Sequence, residues 1–289
     1  MKNRTVSRLL YADIMDMGGV PVRQPFPTQQ VEQIDPFLLL HHHKSHLPEG
    51  ALPHRSGVGP HPHRGFSPVT FVYEGGVHHR DSRGNNSVVY AGGTQWMNAG
   101  RGVVHSERPP ADIQEHGGVQ EIIQLWVNLP KAHKMNQPEY IPLQAEDTPV
   151  LELEGGRTKV RVVAGAFGEV QGPIKTLTPI LALRIEMEAG AASSFPIPEH
   201  YNAFIYLLDG TIHLEGYGEV EGHHLVLLKQ DGEGCTIEAK AQSRLLLLAG
   251  EPLQETVVSH GPFVMNTQSE ILQAMRDYQQ GKMGVLIED

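Results

Sequence analysis

Short apolar runs bounded by Gly, Pro and Asn recur along the chain, and helical periodicity is nearly absent before the final segment. In the first half this pattern predicts strands over 37–40, 69–73, 77–81, 87–90, 103–107 and 121–128. A polar loop rich in His, Gly and Pro is expected to run from the first of these to Pro60. Glu74-Gly75-Gly76, Arg83-Gly84-Asn85-Asn86, Gly92-Gly93 and Asn98-Ala99-Gly100 read as tight turns. In the second half the same grammar predicts strands over 158–164, 180–187, 203–208, 211–214, 225–228 and 244–248, with Asp209-Gly210 as a hairpin turn. Strands at this spacing imply an all-β chain built from small barrels or jelly rolls.

The stretch 131–149 turns polar and proline-bearing and reads as a linker, dividing the chain into 1–140 and 141–289. Laying Gly210 on Gly75 makes Phe-Val-Tyr-Glu-Gly fall within Ile-Tyr-Leu-Leu-Asp-Gly at an offset of 135 residues, so the second half reads as a second copy of the first. A helix is expected from Thr267: Thr267-Gln-Ser-Glu270 has the spacing of a capping box, Ile271, Ala274, Met275 and Tyr278 share a face, and Gly281 stops it.

Candidate chemistry sits in the first copy. His61-Pro62-His63 places two imidazoles at i and i+2, which on a strand point to one side. His105-Ser106-Glu107 repeats the arrangement about forty residues on. Two such pairs on neighbouring strands converge, and three neutral imidazoles with one carboxylate form a mononuclear site for a borderline divalent metal. At the 135-residue offset His61 meets Pro196 and His63 meets Pro198, so the second copy lacks both imidazoles, although His200 lies close by. His41-His42-His43 reads as part of a solvated loop, and His78 and His79 as structural. Phe66, Trp96 and Met97 are either pocket walls or plain core.

Composition narrows the partners. Against 23 Lys and Arg stand 33 Asp and Glu, a net charge of −10, which gives no support to direct nucleic-acid or anionic-membrane binding. The single Cys235 excludes an intramolecular disulfide. The opening MKNRTVSRLLYADIMDMGG has no apolar core of signal-peptide length, and no run approaches the ~20 apolar residues that span a bilayer, so a cytoplasmic location is expected.

The stretch HPHRGFSPVTFVYEGGVHHRDSRGNNSVVYAGGTQWMNAGRGVVHSERP, from His61 to Pro109, resembles the signature region of the pirin family within the cupin superfamily. The late Gly250-Glu-Pro-Leu-Gln-Glu, Gly261-Pro-Phe-Val-Met-Asn-Thr and Asp277-Tyr-Gln-Gln-Gly281 runs resemble its C-terminal signature. The resemblance implies two cupin (jelly-roll) β-barrels packed face to face with a C-terminal α-helix, and iron in the N-terminal barrel only. Carried over, the family's metal ligands fall on His61, His63, His105 and Glu107, with Fe(II) first among the divalent transition metals. Two activities are implied. One is a quercetin 2,3-dioxygenase reaction on a small flavonol-like phenol with O2, in which Glu107 is the catalytic base. The other is non-catalytic, an iron-dependent redox sensor acting through a protein partner, and a metal kept only for stability is a third reading. One departure stands out: many family members carry Glu four residues past the second motif histidine, and here that position is Ser67, followed by Pro68, leaving Glu107 as the substitute base. An open apolar channel to the metal would favour the enzyme, and a covered metal the sensor.

Overall fold

The computed structural model describes residues 1–51 and 56–288. The chain divides into two compact units, each assembled from two separate stretches: Met1–Pro36 with Asp147–Leu253, and Phe37–Glu146 with Gln254–Asp289. Among the described residues no helix is long and apolar enough to cross a membrane.

The first unit is apolar inside. One sheet runs, in spatial order, Val6–Tyr11, His224–Leu228, Asn202–Asp209, Ser243–Gly250, Ile180–Met187, Thr158–Ala164 and Val150–Leu153. A second sheet runs Ala192–Pro196, Gly234–Ala239, Thr211–Leu214 and Gly218–Glu221. Their inward positions meet in a single core: Leu183, Ile185, Ile205, Leu245 and Leu247 from the first sheet pack with Phe195, Ile212, Leu214, Cys235 and Ile237 from the second. The β-branched and Leu-rich runs explain why these segments are strands: they suit a pleated surface, and the central strands of the larger sheet are buried along nearly their whole length, on both faces.

The second unit is the histidine-bearing one. Its smaller sheet runs Val58–His63, Val103–Arg108, Gly76–Asp81 and Asn86–Tyr90. Its larger one carries Glu139–Leu143, Thr94–Asn98, Phe66–Glu74, Gly118–Asn128 and Phe37–Leu47 in that order.

The expectation of two jelly-roll barrels is not met, because no sheet among the described residues closes on itself. A barrel requires its outermost strands to pair with each other. In the apolar unit Val6–Tyr11 pairs with His224–Leu228 and Val150–Leu153 with Thr158–Ala164, leaving two separate edges. Alternation of apolar residues decides which face is buried, and a second sheet across that face buries it as well as closure does. The pattern in the sequence is therefore silent on closure.

Three further differences are local. The loop expected after Leu40 is a continuation of the strand Phe37–Leu47, held in register by Gly118–Asn128, and His41 and His42 are buried in it. Within that expected loop, residues 52–55 lie outside the described residues. The stretch read as a linker supplies Glu139–Leu143, with Pro142 on an edge strand where its missing N–H is tolerated. The N-terminal strands Val6–Tyr11, Asp13–Met17 and Val20–Phe26 have no counterpart in the expected set.

The C-terminal helix Gln268–Gln279 has the expected cap: the Glu270 N–H donates to Thr267 Oγ1 at 3.3 Å and the Asn266 N–H to Glu270 Oε2 at 3.1 Å. Ile271 and Ala274 pack on Val104, Phe263 and Met265, while Tyr278 is exposed and Asp277 takes a buried place. Arg64, the residue after His63, explains that exchange. Its Nη1 donates to Asp277 Oδ2 at 2.9 Å and its Nε to the Arg101 carbonyl at 2.6 Å. The turn between them needs Gly65, whose φ is +87° and whose added Cβ would stand 1.9 Å from the Val264 carbonyl oxygen. Lys134, almost wholly buried, donates to that same carbonyl at 3.1 Å and to the Gly65 carbonyl at 2.6 Å.

Burial pushes the Asp277 carboxyl up, and hydrogen bonds from Lys282, Arg64 and Gln273 overcome that and bring it down to about 2. A depressed carboxylate contributes stability above its unfolded value, ~3.9, and the contribution disappears as pH falls toward 2. Asp277→Asn is expected to cost about 2 kcal/mol at pH 7 and to flatten the acid side of the stability profile between these limits, measured by urea unfolding.

Candidate metal centre

The smaller sheet of the histidine-bearing unit turns one face to a buried cluster of imidazoles. His61 and His63 lie two apart on Val58–His63, so the pleat carries both to the same side. Across the ladder His105 pairs with His61 and Val103 with His63, which brings a third ring opposite the first. On its other flank the same strand pairs His105 with Asp81 and Glu107 with His79. Opposed residues share a face, so six polar side chains line this one: His61, His63, His79, Asp81, His105 and Glu107.

One nitrogen from each of His61, His63 and His105 lies within 4.8 Å of the other two. The ring centroids are 4.7, 4.4 and 4.9 Å apart, and the Nε2 atoms of His61 and His63 face each other at 3.0 Å. His61 Nδ1 donates to the Gly59 carbonyl at 2.8 Å, which leaves its Nε2 as the lone-pair nitrogen. His105 Nε2 is buried without a hydrogen-bond partner. A buried nitrogen with no proton partner, beside two more converging on the same space, fits a divalent cation held by imidazole.

Burial, and then the neighbouring His61 ring, holds the His63 pKa well below its ordinary value. His105 is lowered for the same reasons, with further contributions from His63 and His79. Both rings are thus kept in the neutral form that a metal requires.

Glu107 lies outside the triad's cluster of nitrogens and is pinned by three donors. Thr70 Oγ1 donates to its Oε1 at 2.9 Å, Gln95 Nε2 donates to the same oxygen, and Gln124 Nε2 donates to Oε2 at 2.8 Å. Phe66 and Trp126 form the wall over His63, at ring separations of 5.0 and 5.6 Å. Trp96 and Met97 are buried, the indole N–H donating to Asn98 Oδ1 at 3.3 Å and Met97 packing with Ala99 and Val103. Ser67 is on the opposite face of its strand from Phe66 and Thr70, and its hydroxyl donates to Asn98 Oδ1 at 2.7 Å. A carboxylate at that position would not join this face as the strand stands, so its absence does not deprive the triad of a base.

Thr70, Gln95, Gln124 and Trp126 carry no mark in their local sequence spacing; each is brought in from another strand. His79 and Asp81 do carry a signal, since His-x-Asp has the same i, i+2 form as His61-x-His63 and His105-x-Glu107.

Two family models match the chain: "Pirin" over residues 19–127 and "Pirin C-terminal cupin domain" over 182–284. Pirin-like protein 2 of Arabidopsis thaliana is 36% identical over 291 residues, spanning 98% of this chain and 86% of its own. The chain belongs to the pirin family. Pirin of Homo sapiens is 37% identical over 272 residues, covering 92% of this chain and 89% of its own. A solved structure of quercetin 2,3-dioxygenase from Acinetobacter baumannii superposes with a TM-score of 0.93 at 32% identity, over 99% of this chain and all of that one.

In metal-stripped protein the two depressed histidines make stability depend on pH. An unfolded His takes its proton near ~6.5, while His63 and His105 stay neutral in the fold well below that. Stability is therefore full above pH ~6.5 and falls as pH drops, by up to about 1.4 kcal/mol per pH unit for each ring. Urea unfolding of the apoprotein between pH 7.5 and 5.5 should show this slope, and His105→Gln should reduce it.

Proposed function

We propose that the protein is a metal-dependent dioxygenase that opens a flavonol of the quercetin type with O2, using a single iron held by His61, His63, His105 and Glu107. The observation that carries the reading is the imidazole triad, His63 and His105 buried and His61 half-buried, in which one nitrogen from each ring lies within 4.8 Å of the others. The likeness to the Acinetobacter baumannii quercetin 2,3-dioxygenase supports the choice of substrate class. Three neutral nitrogens and a carboxylate suit Fe(II) among the borderline divalent ions.

When bound, the metal supplies Lewis acidity toward the flavonol 3-hydroxyl and a redox partner for O2. The chain's own part is to hold, orient and accept. His61 is oriented by the Gly59 carbonyl, and His63 is kept in place by the rings of Phe66 and Trp126. Those two rings, tilted against each other at 4.2 Å, offer the flat apolar wall that a phenolic ring system packs against. Glu107, a carboxylate on this face, can accept the 3-hydroxyl proton. Its three donors hold it in one rotamer, so accepting that proton requires one of those hydrogen bonds to give way.

Loading the protein anaerobically with Fe(II) and adding quercetin and O2 is expected to consume oxygen and release carbon monoxide at a rate above that of free Fe(II). His63→Ala leaves three of the four donors and should lose tight metal binding and oxygen uptake together, with an unchanged circular dichroism spectrum. Oxygen uptake no faster than that of free Fe(II), in protein shown to hold one iron, would overturn the assignment.

A further inference from the structure

His79 is a buried histidine that the reading above leaves without a task. Its Nδ1 lies 3.4 Å from His105 Nδ1, and its Nε2 lies 3.2 Å from Asp81 Oδ2. The ring is stacked on Tyr140 with centroids 3.7 Å apart and planes 6° from parallel, so it cannot rotate away. Both His79 and Asp81 are nearly inaccessible to solvent.

With both imidazoles in the neutral form, these contacts leave one consistent arrangement of protons. The Asp81 carboxylate accepts only, so His79 Nε2 carries the hydrogen and donates to it. His79 Nδ1 is then a lone pair and can only accept. His105 Nδ1 must therefore carry its own hydrogen and donate to His79, which puts the free lone pair of His105 on Nε2, the buried nitrogen that has no other partner. Asp81 is held in turn by the Arg83 and Asn85 N–H groups on Oδ1, at 2.8 and 3.0 Å, and by Asn85 Nδ2 on Oδ2 at 2.7 Å.

We propose that Asp81 and His79 form a two-step hydrogen-bond relay that sets the tautomer of His105 and makes its Nε2 a stronger metal donor. This extends the common device in which a carboxylate orients a ligating imidazole, with a second imidazole interposed. The proposal rests on His105 being a metal ligand. His79 and Asp81 are positioning residues: they act through His105 and touch neither metal nor substrate.

Asp81→Asn is the informative substitution. The amide oxygen still accepts from the Arg83 and Asn85 backbone N–H groups, while its NH2 takes the place of Oδ2, where the Asn85 amide turns over to accept from it and where it faces His79 Nε2 and drives the proton of His79 to Nδ1. That proton then points at His105 Nδ1 and forces the His105 hydrogen onto Nε2, the wrong nitrogen for a metal. His79→Phe keeps the stack on Tyr140 and removes the acceptor altogether.

Co(II) alone serves as the probe, with affinity measured by chelator competition on the full chain. Asp81→Asn and His79→Phe should each bind Co(II) about 10- to 100-fold more weakly than wild type. The double variant should be no weaker than His79→Phe, because Asp81 has no route to His105 without His79. Wild-type affinity in Asp81→Asn, or losses that multiply in the double variant, would overturn the relay. A second measurement needs no substitution. In Zn(II)-loaded wild type, nitrogen-15 correlation spectra should show His105 protonated at Nδ1 and His79 at Nε2; the reverse pattern overturns the proposal even if the variants fail to fold. If wild type itself binds neither Co(II) nor Zn(II), the metal reading fails and takes the relay with it. Tight wild-type binding with an indifferent Asp81→Asn sinks the relay alone.

Discussion

Three imidazoles packed with their nitrogens turned toward one another are the constraint on which the histidine-bearing unit is organised. The Nε2 atoms of His61 and His63, 3.0 Å apart, cannot both present lone pairs without repulsion, and burial makes a proton on His63 or His105 costly. A cation between them relieves both costs at once. Without it the fold carries the expense of a buried polar cluster, which the rest of the unit must offset.

The surroundings spread that load over the whole face of the smaller sheet. Each ring has a second contact that fixes its plane: Gly59 for His61, Phe66 and Trp126 for His63, His79 for His105. Glu107 is similarly tied, and its donors Thr70, Gln95 and Gln124 come from three different strands of the larger sheet. The two sheets of this unit are thus joined across their interior by hydrogen bonds as well as by apolar contact. Such a site is preorganised, and the motion left to it is small: a carboxylate exchanging one donor for a proton, and little else.

Contrast with the apolar unit shows what the site displaces. There the corresponding pair of sheets closes over Phe195, Ile212, Leu214, Cys235 and Ile237, with burial pushing the Cys235 thiol up to about 12. A core of that kind stabilises by area removed from water and asks nothing of a ligand. The histidine-bearing unit instead draws on Arg64 and Lys134, whose hydrogen bonds secure the Gly65 turn directly behind His63 and hold the C-terminal segment against it.

Local sequence determined the strands and the triad. The short apolar runs over 158–164, 180–187 and 211–214, bounded by turn residues, dictate strands that begin and end where the structure has them, because β-branched and Leu-rich runs of this length suit a pleated sheet. The two i, i+2 pairs dictated that His61 and His63 share a side, and the structure joins His105 to them. Tertiary structure alone decided the rest. Closure was undecidable from alternation, since a face is buried equally well by a facing sheet as by a closed one. That His41 and His42 are strand rather than loop depended on a ladder to Gly118–Asn128, some eighty residues away. Tyr278 and Asp277 exchanged burial because Arg64 lay within reach of a carboxylate and not of a phenol. The partners of Glu107 and of His105 were set by strand order, which brings Thr70, Gln95, Gln124 and His79 to them from separate strands, and no local spacing encodes that order.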